Sequence, residues 1–184
     1  NTYPNIMKAA NEIFEDFTDF KSGKQRYLHT FKIVTCIGKT QSGKTALQQQ
    51  MAYLLGGEKQ WIFACTTYSN KEIVLQHELD MDGYNNVIPF KISTIVSPTN
   101  QHPYNSLKED IKKSTSFGNI LFLMIDESEY RVGHNSILDK LIRKLSDDFP
   151  QLRIYILLVG ATPMSMRALE TQLKIKCFQN LLIF

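Results

Sequence analysis

The sequence predicts an α/β domain built on a central, mostly parallel β-sheet, and three observations support this fold class. The most apolar segments are short and are apolar at consecutive positions, as in strands buried on both faces. Segments with helical periodicity separate these strands along the chain. With 184 residues, the chain is long enough for one domain with a sizeable core. Helices on both faces of the sheet would make this a three-layer sandwich.

Helices and strands alternate in the first half of the chain. Apolar residues recur at helical spacing near the amino terminus, and the glycine pair Gly56-Gly57 ends a second helical segment. The predicted elements are a helix at 4–20, a strand at 31–37, a helix at 44–55, a strand at 61–66, a helix at 70–80 and a strand within 86–96.

The second half continues the same alternation. Residues 98–105 are polar and contain Pro103, which predicts a loop. Ser106 and Glu109 have the spacing of a capping box, which predicts that a helix begins there. The predicted elements are a helix at 106–115, a strand at 119–126, an amphipathic helix at 136–149 and a strand at 153–161.

Composition excludes several classes of protein. The net charge of +3 is too small for its field alone to indicate nucleic-acid binding. Cys36, Cys65 and Cys177 form no CxxC pair, so the sequence supports neither a zinc site nor a disulfide framework. We therefore expect a reducing, intracellular setting. No apolar run reaches the roughly 18 residues of a membrane span, and no secretory signal opens the sequence, so no membrane association is expected.

A glycine-rich turn follows the first apolar strand. Gly38 is followed by four residues and then by Gly43-Lys44-Thr45, with a helix after them. A strand, GxxxxGK[ST] and a helix form a phosphate-binding loop, in which glycines let successive backbone N–H groups face the phosphates. We predict that nucleotide phosphates bind the residues Gly38, Lys39, Thr40, Gln41, Ser42, Gly43, Lys44 and Thr45. In this interpretation Lys44 reaches the terminal phosphates, and the Thr45 hydroxyl binds Mg²⁺.

An acidic turn follows the most apolar strand, and a small-residue turn follows the last one. Asp126 and Glu127 end the first of these strands, where Asp126 is suited to binding Mg²⁺ and Glu127 to polarising the attacking water.

The last predicted strand ends at the small-residue turn Gly160, Ala161 and Thr162. Gly160 and Ala161 permit close approach to the acidic turn, and the Thr162 hydroxyl can hydrogen-bond a carboxylate there. We predict that Gly160, Ala161 and Thr162 couple the nucleotide state to the rest of the protein.

These three motifs, in this order, resemble the first RecA-like domain of a superfamily 2 helicase or translocase. "GKTQSGKT" is similar to motif I, "DESE" to motif II of the DEAD/DEAH type, and "GAT" to motif III. The resemblance covers about residues 32–164. Two departures accompany it: motif II is neither DEAD nor DEAH, and Cys65 stands where the family has a proline in motif Ia.

The resemblance implies a RecA-like P-loop NTPase that hydrolyses ATP with Mg²⁺ to move on or remodel DNA or RNA. It implies catalytic roles for Lys44, Asp126 and Glu127, and it makes Gln25 the candidate adenine-reading residue. Motif Ia would place nucleic-acid contacts at Thr66, Thr67, Tyr68 and Ser69. Such motors also use a second RecA-like domain that supplies arginine fingers.

The domain organisation expected from this resemblance is a helical extension at 1–30 and a RecA-like ATPase domain at 31–184. The sequence begins with Asn1 and ends with Phe184, and we expect it to be part of a longer chain with the second RecA-like domain after it. Two other functions remain open. The ATPase part of a viral DNA-packaging terminase shares the same motifs, and a nucleotide-binding regulatory module without motor activity would share the fold.

Overall fold

A computed structural model describes residues 2–23, 31–37, 43–66, 71–114, 120–126, 137–160 and 177–178. In chain order the elements are α1 (Thr2–Ser22), β1 (Phe31–Ile37), α2 (Lys44–Gly57), β2 (Ile62–Thr66), α3 (Lys71–Asp80), β3 (Val87–Lys91), α4 (Ile92–Ile95), α5 (His102–Ser114), β4 (Ile120–Asp126), α6 (Ile137–Asp148), β5 (Arg153–Gly160) and β6 (Cys177–Phe178). Within these ranges, no helix is both long and apolar enough to cross a membrane.

The described strands form one sheet of six in the order β3-β2-β4-β5-β1-β6. Every pair of neighbours is parallel. β5 lies between β1 and β4, so the strand before the predicted phosphate loop and the strand before the acidic turn are not adjacent. The predicted α/β class with a parallel central sheet is confirmed.

Two hydrophobic clusters cover the two faces of the sheet, which makes the domain a three-layer sandwich, as predicted. On one face, α1 and α2 pack against alternate strand residues such as Ala64, Met124 and Leu157. On the other face, α5 and α6 pack against the intervening residues, such as Cys65 and Ile125. This alternation follows from the strand period of two, and it determines which side chains face which helix layer.

The amino-terminal helix α1 is an integral layer of this core. Ala9, Ala10, Ile13 and Phe20 are completely buried in the cluster that contains α2. Phe17 packs edge-on against Phe122 and Tyr155, at ring-centroid distances of 5.1 and 5.3 Å.

The start of α5 corrects the sequence interpretation. We expected a loop at 98–105 and an N-cap at Ser106, but the helix begins at His102, and Ser106 lies within it. The Asn100 side chain accepts a hydrogen bond from the His102 N–H at 3.1 Å. Pro103 is compatible with this earlier start, because the first helical turn needs no N–H from its residues and favours the φ of proline. The short helix α4 and the edge strand β6 were not predicted from the sequence.

Candidate nucleotide site

The helix after the predicted phosphate loop begins at a glycine with left-handed backbone geometry. Gly43 has φ 97° and ψ 26°, and its carbonyl accepts the first helical hydrogen bond from the Leu47 N–H at 2.9 Å. A residue with a Cβ is strained in this region of φ, so the second glycine of the motif meets a backbone requirement. The next residues, half-buried Lys44 and exposed Thr45, form the first turn of α2, where unpaired N–H groups and the helix dipole favour an anion.

The strands that carry the predicted motifs end together at the carboxyl edge of the sheet. Val159 on β5 is aligned with Cys36 on β1 and with Asp126 on β4. Asp126 is in turn aligned with Thr66 on β2. Neighbouring strands are about 4.8 Å apart, so Asp126 lies two strands, or roughly 10 Å, from the strand that leads into the phosphate loop.

Strand alternation places the Asp126 side chain on the face of the sheet that α2 covers. Met124, two residues earlier on β4, packs in the cluster that contains α2, whereas Ile125 packs in the opposite one. The half-buried Asp126 therefore lies on the same side of the sheet as Lys44 and Thr45.

The chemistry of these side chains fits a magnesium–nucleotide complex. Mg²⁺ prefers oxygen ligands, and it is usually held by one or two protein groups together with phosphates and water. The Thr45 hydroxyl and the Asp126 carboxylate are such groups, and Lys44, which precedes Thr45 in the chain, supplies a positive charge. The helix start at Gly43 adds backbone donors of the kind that phosphates require.

Several predicted residues lie outside the described part of the chain and remain predictions. They are Gln25, the loop residues Gly38, Lys39, Thr40, Gln41 and Ser42, the segment Thr67, Tyr68 and Ser69, the candidate base Glu127, and the coupling residues Ala161 and Thr162. Two of their chain neighbours are described. Gly160 ends β5 opposite Ile37, and Thr66 ends β2 opposite Asp126.

Sequence analysis did not single out Gln48, a buried amide below the first turn of α2. Its side chain is only 1% exposed, and within the described part of the chain its Nε2 has no hydrogen-bond partner. The sequence does carry a signal for this burial. Gln48, Ala52 and Leu55 have the i, i+4, i+7 spacing of one helix face, and the other two are apolar.

Cys36, two residues before the predicted phosphate loop, has an unreactive thiol. Burial, with a smaller contribution from the negative charge of Glu12, raises the pKa of Cys36 from 9.0 to about 12. Because the thiolate is the reactive form, Cys36 remains a protonated core residue at neutral pH.

Comparisons with known proteins find similarity to solved structures. No family model matches the sequence, and the search of curated proteins also gives no match. Among solved structures, the chain is similar to one described as an ATPase domain, with a TM-score of 0.43 and 13% sequence identity. That similarity covers 92% of this chain and 79% of the other.

Proposed function

We propose that this chain is the ATPase domain of a nucleic-acid motor of the helicase or translocase type. One observation carries the nucleotide part of the proposal: the left-handed Gly43 starts α2 on the same side of the sheet as Asp126. The helix start at Gly43 supplies the backbone donors that phosphate binding needs, and Asp126 on that side of the sheet would be a ligand for Mg²⁺.

ATP hydrolysis at this site would depend on positioning and on charge stabilisation. Lys44 would neutralise the terminal phosphates, while Thr45 and Asp126 would hold Mg²⁺, directly or through water. A bound Mg²⁺ would stabilise the charge that develops on the transferred phosphoryl group. Glu127, which follows Asp126 in the sequence, is the proposed general base for the attacking water.

The motor part of the proposal rests on the order of the sequence motifs. The sequence resembles superfamily 2, and its nucleic-acid contacts would lie at Thr66–Ser69 and Ser97–Asn100. Both segments follow strands at the carboxyl edge, β2 directly and β3 by way of α4. A second RecA-like domain would complete the nucleotide cleft with an arginine, as in other motors of this type.

Calorimetric titration of the chain with ADP and Mg²⁺ tests the nucleotide site. We expect Lys44→Ala to weaken binding by about tenfold or more, because a hydrogen bond between charged groups contributes about 1.5–3 kcal/mol. Lys21→Ala is the matched control, since Lys21 lies by Leu55 and Glu58 at the opposite end of α2. Equal affinities of the parent and Lys44→Ala would refute the assignment.

A separate measurement tests the motor function. The ATPase rate of the longest available form of the protein would be compared with and without single-stranded DNA or RNA. Stimulation that disappears in Lys44→Ala supports a motor. If the protein binds nucleotide but neither DNA nor RNA changes its ATPase rate, a regulatory module is the better interpretation.

A further inference from the structure

The buried amide of Gln48 calls for a hydrogen-bond acceptor. Its Nε2 has no hydrogen-bond partner among the residues that the structure describes, and the whole side chain is 1% exposed. A buried donor without a partner destabilises a fold by about 1–3 kcal/mol, so native structures contain few of them. An apolar residue of similar size would avoid this penalty at Gln48.

Helix geometry places Gln48 directly below the candidate nucleotide site. It follows Thr45 by three residues and Lys44 by four, so all three share one face of α2. Below it, Ala52 and Leu55 continue that face into the core between the helix and the sheet.

Strands β2 and β4 pack against this face of α2, and β4 ends at the acidic turn. Ala64 and Met124 pack in the same cluster as Ala52 and Leu55. Two residues beyond Met124 on β4, Asp126 has the same orientation, and it is aligned with the end of β2 at the carboxyl edge. Strand alternation thus places the Asp126 carboxylate, a negatively charged acceptor, on this face at the carboxyl edge.

We propose that Gln48 is a positioning residue of the nucleotide site, whose Nε2–H donates to the Asp126 carboxylate when magnesium and nucleotide are bound. This inference rests on the proposed function. Carboxylates that ligate a metal are commonly oriented by a second hydrogen bond, and loss of that bond typically weakens metal binding by about 10–100-fold. Gln48 would thus act on the metal through Asp126.

The decisive variant is Gln48→Met, which keeps the length of the side chain and removes the amide. At saturating ADP, we expect its affinity for Mg²⁺ to fall by about 10-fold or more. ADP affinity in EDTA should equal that of the parent. The melting temperature without ligand should be equal or higher, because an unpaired buried donor has been removed.

Gln50→Met is the matched control. Gln50 lies on the same helix, is half-buried, and is rotated about 200° away from Gln48, so this variant should bind Mg²⁺ and ADP like the parent. A purely structural amide predicts a different result for Gln48→Met, namely unchanged Mg²⁺ affinity or an equal loss of ADP affinity with and without Mg²⁺. Either result would overturn the inference while leaving the Lys44 test of the function intact. A parent chain that binds no nucleotide would overturn both.

A measurement on the parent protein avoids dependence on the folding of a variant. In ¹⁵N-labelled protein, the side-chain amide signals of Gln48 should shift and become protected from exchange on addition of ADP with Mg²⁺. ADP with EDTA should leave them unchanged. Signals that do not respond to either mixture would contradict the proposed hydrogen bond.

Discussion

The ammonium group of Lys32 on β1 lies 2.5 Å from the Oδ1 atom of Asp16 on α1. The other oxygen of the same carboxylate accepts a hydrogen bond from the Tyr155 hydroxyl on β5 at 2.7 Å. Lys32 is 1% exposed, so this pair brings a full charge into the core between the first helix and the strand that leads to the phosphate loop. The network fixes α1 to two neighbouring strands at once.

Removal of Asp16 should therefore destabilise the whole domain. In Asp16→Ala the buried Lys32 ammonium loses its ion pair with Asp16, and breaking a buried pair costs about 3–5 kcal/mol. The free energy of unfolding, measured with urea, should fall by this order. Glu15→Ala, which removes an exposed carboxylate from the same helix, should have little effect.

Apolar replacement of Asp16, Lys32 and Tyr155 together should restore much of the loss of stability. The triple variant Asp16→Leu/Lys32→Met/Tyr155→Phe removes all three polar side chains at once, and such exchanges are often neutral or stabilising. A triple variant less stable than Asp16→Ala would show that the charges themselves are required.

The backbone geometry of Gly43 predicts the effect of a substitution at this position. Gly43→Ala introduces a Cβ at φ 97°, so we expect a loss of about 1–2 kcal/mol in stability together with weaker nucleotide binding. Gly57→Ala is the control at the other end of α2, where an added Cβ meets no atom within 4 Å. That variant should be neutral or slightly more stable, because alanine restricts the unfolded chain. Thermal unfolding with and without ADP measures both effects, and equal behaviour of the two variants would contradict the prediction.

The proposed catalytic base can be separated from nucleotide binding. Glu127→Gln keeps the shape of the side chain but cannot accept the proton, so ATP should still bind while turnover falls about 10²–10⁴-fold. Single-turnover hydrolysis and nucleotide titration would be measured on the same preparation. Glu129→Gln, in the same acidic segment, is the control, and a larger rate loss in that variant would move the role of base to Glu129.

Alkaline pH should weaken the fold through Cys36. The thiol pKa is raised from 9.0 to about 12 in the folded protein, so the unfolded chain loses this proton first as pH rises. The stabilising effect is complete below pH 9 and is lost progressively between about pH 9 and 12. One proton corresponds to a slope of about 1.4 kcal/mol per pH unit.

Comparison with Cys36→Ala isolates this contribution from the lysines and tyrosines that titrate in the same range. Urea unfolding of both proteins at pH 8, 9.5 and 10.5 should show that the free energy of unfolding falls less steeply with pH in the variant. Parallel declines would mean that the Cys36 thiol ionises alike in the folded and unfolded chains.

The sequence by itself determined the fold class and most of the element bounds. The apolar run at 31–37 is strand β1 over its full length, and the helix predicted from residue 44 begins at Lys44. These features are local: consecutive apolar residues need burial on both faces, and Gly43 meets a backbone requirement of its own position. The same local chemistry indicated that the turn before Lys44 and the end of the strand at Asp126 belong to one site.

Only the tertiary structure decided which distant residues meet. The position of β5 between β1 and β4 depends on how crossovers pack on the sheet, which no short segment encodes. The partner of Lys32 lies sixteen residues earlier in the chain, on another element. The sequence marks Gln48 as a residue on an apolar helix face, but only the packed core shows that no described residue accepts a hydrogen bond from its amide. Such relationships arise from contacts between elements, and periodicity within one element carries no information about them.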